Sequence, residues 1–130
     1  MHKEKPIYYD LSYQINGILF EAHNELGRFR NEKQYGDYIE ERCKNKNIAY
    51  EREKVLPASF EGELRGRNKI DFLIDNKIIL EIKAKRLLEK PDYYQTKRYL
   101  VALDKKLGLL INFREKFLKP RRILNSEAQE

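Results

Sequence analysis

Apolar residues recur every three or four positions in three stretches of the chain, a spacing typical of helices with one buried face. The first stretch begins at Asp10, which is predicted to cap the helix, and it stops at Gly27. Asn31 is predicted to cap the second helix, and Pro91 suits the first turn of the third. The predicted helices span residues 10–26, 31–47 and 91–105.

The remaining segments alternate between polar and apolar residues or form short apolar runs, as β-strands do. Gly66 is expected to form a bulge, and Asn76 or Lys77 to be left-handed in the turn after the second strand. Pro120 is consistent with an edge strand. The order ααβββαββ predicts an α/β domain (α+β in some schemes) whose mixed sheet is flanked by helices. The predicted strands span residues 48–60, 63–74, 78–85, 107–113 and 117–124.

The composition is that of a folded protein, with 41% hydrophobic residues in a chain of 130. One domain over residues 1–130 is expected, with a core at about 11–123 and flexible ends at 1–9 and 125–130. No apolar run approaches the roughly 18 residues of a membrane span, and the first ten residues lack the apolar segment of an export signal. With Cys43 as the single cysteine, no internal disulfide can form, and a cytoplasmic location is expected.

The positive charge is concentrated in the second half of the chain. The whole protein carries +6, but residues 83–122 hold 13 Lys/Arg and 4 Asp/Glu, a net charge of +9. Such a surface favours a polyanionic partner, nucleic acid above all, although solvated lysines are the plain alternative. The basic residues expected to contact phosphates are Lys97, Arg98, Lys119, Arg121 and Arg122.

Three charged residues interrupt the apolar pattern of the second and third strands: Asp71, Glu81 and Lys83. Burying an unpaired charge is costly, so their presence requires a reason. Glu81 and Lys83 share one face of their strand because side chains alternate. Asp71 joins them if the turn between the strands has an odd number of residues, which "IDNKI" favours, whereas a two-residue turn would place it on the opposite face.

A cluster of two carboxylates and an ammonium has a chemical use. The carboxylates repel each other unless a divalent cation binds between them, and such cations prefer oxygen ligands. A lysine beside them can help to deprotonate a water and can stabilise negative charge on a phosphate. The cluster therefore predicts metal-assisted hydrolysis of a phosphodiester, and the alternative is an ion-pair ladder on a partly exposed strand.

Several short motifs extend this pattern over nearly the whole chain, from about Leu11 to Ile123. Together they resemble the PD-(D/E)XK nuclease superfamily and, within it, the GxxExxY branch, which implies a mixed sheet flanked by helices. The chain departs from that branch at Phe29, where the branch has its first glycine. The motifs are "FEAHNELG" at 20–27, Glu32-x-x-Tyr35, "KIDF" at 69–72, "LEIKA" at 80–84 and "LGLLINF" at 107–113.

The resemblance implies roles for individual residues, with Mg²⁺ or Mn²⁺ as the cofactor. Tyr35 lies three residues after Glu32, and Tyr99 lies four residues after Gln95. Each tyrosine therefore shares a helix face with the residue it follows. His23 either approaches the site or is a hydrogen-bonded core residue. The implied catalytic residues are Lys83, Glu32 and Gln95; the implied metal ligands are Asp71, Glu81 and the backbone carbonyl of Ile82; and the expected neighbours are Tyr35, His23 and Tyr99.

The sequence therefore predicts a metal-dependent nuclease that acts on DNA or RNA. One alternative is a nucleic-acid-binding protein that keeps the fold without turnover. Another is a regulatory or interaction module that works with a larger protein partner. A homodimer is also compatible, since two sites could then address two strands.

Overall fold

The computed structural model describes residues 5–129, and its helices and strands follow the predicted order ααβββαββ. The segments expected to be flexible, 1–9 and 125–130, lie partly outside the described residues, which exclude 1–4 and 130. The elements are α1 (Tyr9–Leu26), α2 (Glu32–Asn45), β1 (Tyr50–Val55), β2 (Lys69–Ile74), β3 (Ile78–Lys83), α3 (Lys90–Leu103), β4 (Leu107–Asn112) and β5 (Arg121–Leu124).

The ends of the first two helices mostly follow local sequence. Gly27 ends α1 with a φ of 76°, and Asn31 caps α2 through a reciprocal pair of hydrogen bonds with Gln34. The prediction that Asp10 caps α1 is wrong, because the N-cap is Tyr8. The helix starts one residue before Asp10, so the carboxylate lies in the first turn, where it interacts favourably with the helix dipole.

The five strands form one mixed sheet in the order β1-β2-β3-β4-β5. Strands β3 and β4 are parallel and are joined through α3, whereas the other neighbours are antiparallel. The mixed sheet and the edge position of the last strand are confirmed. The predicted bulge at Gly66 is wrong, because β2 begins only at Lys69 and Gly66 lies in a turn with a φ of 81°. Proline and glycine residues between β1 and β2 prevent continuous pairing there.

The sheet is covered on both faces. Helices α1 and α2 pack on one face through the larger apolar cluster, and α3 packs on the other through a smaller one. Gly108 on β4 allows α3 to approach closely, because a Cβ atom there would lie 2.8 Å from Thr96 Cγ2. The smaller cluster contains Leu56, Ile70, Leu73, Ile79, Tyr99 and Leu100.

Membrane insertion through a helix is not supported by the described residues. Within 5–129, none of the helices combines the length and the apolar character needed to cross a bilayer.

Candidate active site

The turn between β2 and β3 determines where the strand charges lie. Residues 75–77 form a three-residue turn, since Ile74 pairs with Ile78. The odd length was predicted, but the left-handed residues are Asp75 and Asn76, with φ of 50° and 55°, rather than Asn76 or Lys77 alone. Both Asp and Asn tolerate this conformation because their short side chains can bond locally.

This register brings two carboxylates to the same place. The pairing of Phe72 with Leu80, extended by one residue, sets Asp71 opposite Glu81 at the open end of the hairpin. Asp71 and Glu81 therefore share the face of the sheet that α3 covers. Strand β1 is distorted beside them, because Glu53 has a left-handed φ of 54° within the strand.

The two carboxyl groups are in direct contact. Asp71 Oδ2 accepts a hydrogen bond of 2.7 Å from the Ile82 backbone N–H, and the Asp71 and Glu81 side chains are hydrogen-bonded to each other. Glu81 is only 3% exposed. Burial first, and then the Asp71 charge, raises the pKa of Glu81 to about 10. Without a cation, Glu81 is therefore protonated at neutral pH.

The donor set fits a divalent cation of the Mg²⁺ type. Glu81 Oε1 is buried and has no hydrogen-bond partner within the described part of the chain. A buried oxygen in this state is a cost that a cation would remove. No group of three or more His, Cys, Asp or Glu side chains arranged for a metal occurs in residues 5–129. The fit is to two carboxylates completed by backbone, water or substrate oxygens, which is how Mg²⁺ is commonly held.

Helix α3 supplies polar side chains to the same face. Lys83 Nζ donates a 2.9 Å hydrogen bond to Gln95 Oε1. Gln95 in turn is hydrogen-bonded to the Tyr99 hydroxyl, and Tyr99 is only 5% exposed. Desolvation, followed by the charge of Glu81, raises the pKa of Tyr99. Three of the predicted residues thus form one connected chain next to the carboxylates.

Glu32 reaches the carboxylates from the opposite layer. It is the first residue of α2, and its carboxylate accepts a hydrogen bond from the backbone of Ala84. Desolvation and the charge of Asp71 raise the pKa of Glu32. Glu32, Asp71 and Ile82 all line one cleft of about 180 Å³.

Two residues near Lys83 were missed by the sequence reasoning. Lys85 Nζ donates to Asp92 Oδ2 at 3.0 Å, and Lys83 Nζ lies 4.0 Å from Asp92 Oδ1. Burial would raise the pKa of Asp92, but hydrogen bonds from Glu89 and Lys85 outweigh it and hold the pKa below its usual range. Asp92 lies three residues before Gln95, so the helical spacing around Gln95 was a usable signal.

Two of the expected neighbours of the site, Tyr35 and His23, make their contacts elsewhere in the protein. The Tyr35 ring stacks on Phe113 with a centroid separation of 4.0 Å, and its hydroxyl donates to the Gly27 carbonyl at 2.5 Å. His23 Nε2 lies 2.8 Å from the Glu115 carbonyl oxygen, which corresponds to the hydrogen-bonded alternative. Both rings join the segment after β4 to α1 and the loop that follows it.

The residues predicted to bind phosphates make different contacts within the protein. Arg121 makes a two-pronged ion pair with Glu115 at 2.8 and 2.7 Å. Arg122 donates to Ser12 Oγ and to the Ile7 carbonyl, and Lys97 donates to the Leu124 carbonyl. Lys119 is exposed, and the Arg98 guanidinium lies over the Tyr99 ring. Arg98 is thus tied to the carboxylate site through Tyr99, whereas Arg121 and Arg122 bind other parts of the protein.

Comparison with known proteins gives one family. The sequence model of the PD-(D/E)XK nuclease superfamily matches residues 9–123. This segment includes the three helices and all of the sheet except the last residue of β5. No curated protein and no solved structure gives a significant match. The family match covers most of the chain, and the observed sheet and helix order is consistent with that fold: the chain belongs to the PD-(D/E)XK nuclease superfamily.

Proposed function

We propose that the protein is a metal-dependent nuclease of the GxxExxY branch that hydrolyses phosphodiester bonds in DNA or RNA. One observation carries the proposal. Asp71 and Glu81 are in contact across the hairpin, and Lys83 lies on the same face with its ammonium fixed by Gln95. Membership of the superfamily supports the reaction class, and the concentration of basic residues supports a polyanionic substrate.

Asp71, Glu81 and the carbonyl of Ile82 would hold Mg²⁺ or Mn²⁺. The unpartnered Glu81 Oε1 supports this assignment, because binding would require Glu81 to release its proton and would use that oxygen. A bound divalent cation supplies Lewis acidity, which makes a water more acidic and neutralises charge on the phosphate.

Lys83 would stabilise the negative charge that develops on the phosphate oxygens. Its hydrogen bond to Gln95 uses one of three ammonium protons and fixes its direction, so no reorganisation is needed during the reaction. Gln95 is a positioning residue, and its bond to Tyr99 keeps the amide oxygen directed at Lys83.

Glu32 would orient the attacking water. Its raised pKa brings it closer to neutral pH, where a carboxylate accepts a proton more readily than an ordinary surface glutamate does. The Ala84 backbone holds one side of this carboxylate, which limits its rotation.

The proposal is tested by calorimetric titration with Mg²⁺ and Mn²⁺, together with cleavage of plasmid and single-stranded substrates. Wild type should bind metal and cleave, and Asp71→Asn should lose both. The matched control is Asp75→Asn, an exposed aspartate in the turn of the same hairpin, which should change neither. Metal binding without cleavage of any substrate would refute the enzyme and favour the non-catalytic binding protein.

A further inference from the structure

The loop between α1 and α2 presents an aromatic ring to solvent. Phe29 is 74% exposed and stands where the GxxExxY branch has a glycine. The guanidinium carbons of Arg28 and Arg114 lie 5.1 Å and 5.5 Å from the centre of its ring, within the range of cation–π attraction. Most of the ring remains accessible despite these two contacts.

The two arginines are held in place by each other's backbone. Arg28 Nε donates to the Arg114 carbonyl at 2.9 Å, and Arg114 Nε donates to the Arg28 carbonyl at 3.1 Å. Both arginines are half-buried, although they lie 86 positions apart in the chain. The side-chain order that a ligand would otherwise have to impose is therefore already present.

The group formed by Arg28, Phe29 and Arg114 is connected to the carboxylate site through Ala84. Arg114 Nη2 donates to the Ala84 carbonyl at 3.3 Å, and the Ala84 backbone also hydrogen-bonds to Glu32. Ala84 directly follows Lys83, and Phe29 precedes Glu32 by three residues. Arg114, which lies beside the exposed ring, is thus linked through Ala84 to the site that would cleave the phosphodiester.

We infer that Phe29, Arg28 and Arg114 form a stacking platform for an unpaired nucleotide next to the scissile phosphate. This inference rests on the proposed nuclease function and adds the substrate class: single-stranded or frayed nucleic acid. An aromatic ring stacks on any base, and the flanking guanidinium groups complement the phosphates on either side. In a continuous duplex the bases already stack on one another, so a duplex offers no base face to Phe29.

Binding without metal tests the platform separately from cleavage. Fluorescence anisotropy in EDTA is measured with a single-stranded oligonucleotide and with the corresponding duplex, both carrying 2-aminopurine. The variants are Phe29→Ala and Phe29→Trp, and the matched control is Phe60→Ala, an exposed phenylalanine in the β1–β2 loop. Phe29→Ala should weaken single-strand binding about tenfold, with little change for the duplex. Phe29→Trp should retain it, and Phe60→Ala should match wild type.

The 2-aminopurine signal adds a direct readout of stacking. Its fluorescence should be quenched at one position along the strand by wild type and recovered with Phe29→Ala. The platform is overturned if Phe29→Ala binds the single strand as wild type does, if both oligonucleotides weaken equally, or if wild type binds neither. Binding that behaves as expected without cleavage in Mg²⁺ would instead refute the nuclease and leave the platform standing.

Discussion

Removal of the proton from Glu81 should destabilise the metal-free protein. The folded pKa of about 10 lies above the ordinary value of 4.5, so between these values the folded state keeps a proton that the unfolded state has released. The associated stability is fully present below about pH 4.5 and is lost progressively as the pH rises toward about 10. Stability should therefore fall with pH throughout this window.

The size of this loss of stability follows from the one proton by which the folded and unfolded states differ. One proton of difference lowers the free energy of unfolding by about 1.4 kcal/mol per pH unit. Between pH 6 and pH 8 the loss should approach roughly 2.7 kcal/mol. Because Glu81 is 3% exposed, solvent screening should reduce this effect little.

Urea denaturation in EDTA at pH 6, 7 and 8 measures the slope of the free energy of unfolding against pH. Glu81→Gln should remove it, because the amide is neutral at every pH and can still donate a hydrogen bond to Asp71. Glu41→Gln, on the exposed side of α2, is the matched control and should keep the wild-type slope. Saturating Mg²⁺ should reverse the trend in wild type, because the cation competes with the proton. Equal slopes in wild type and Glu81→Gln, measured without metal, would refute the burial argument.

Three further predictions concern packing, catalysis and an ion pair. Gly108→Ala should lower the free energy of unfolding by about 1–3 kcal/mol in urea denaturation, because the new methyl group meets Thr96. Gly17→Ala is the control: its methyl group has open space, so the change should be neutral or stabilising. Equal effects of the two changes would contradict the close approach of α3. Lys83→Ala should lower the single-turnover cleavage rate about 100-fold while metal affinity holds or rises, and an unchanged rate would refute the proposed role. Arg121→Ala should cost about 1 kcal/mol in thermal or urea denaturation by breaking a partly buried two-pronged ion pair, and a neutral result would mean that the pair contributes nothing.

Order and type of the elements could be predicted from the sequence because they depend on neighbours a few positions apart. Apolar spacing is enough to separate helices from strands, and the Asn31 cap requires only Gln34 three residues later. The odd turn length was also a local property, and it alone sets Asp71 and Glu81 on one face. The strand cluster was therefore predictable before any packing was known.

The tertiary structure decided which polar partners those residues have. Only the docking of α3 sets Gln95 against Lys83 and buries Asp92 between two lysines. Charge counting named Arg121 and Arg122 as candidates for phosphate contact, but Arg121 pairs with Glu115 on the segment just before β5, and Arg122 donates to the Ile7 carbonyl at the other end of the chain.

Phe29 shows the same limit of local reasoning. The sequence marks it only as a departure from a motif, and nothing within several residues indicates Arg114 as a partner. Contacts over 86 positions depend on how the helices pack on the sheet, and local periodicity carries no information about that packing. The sequence by itself determined the fold class and the two strands that carry Asp71, Glu81 and Lys83. The tertiary structure determined the hydrogen bond that fixes Lys83 and the two arginines that lie beside the exposed Phe29 ring.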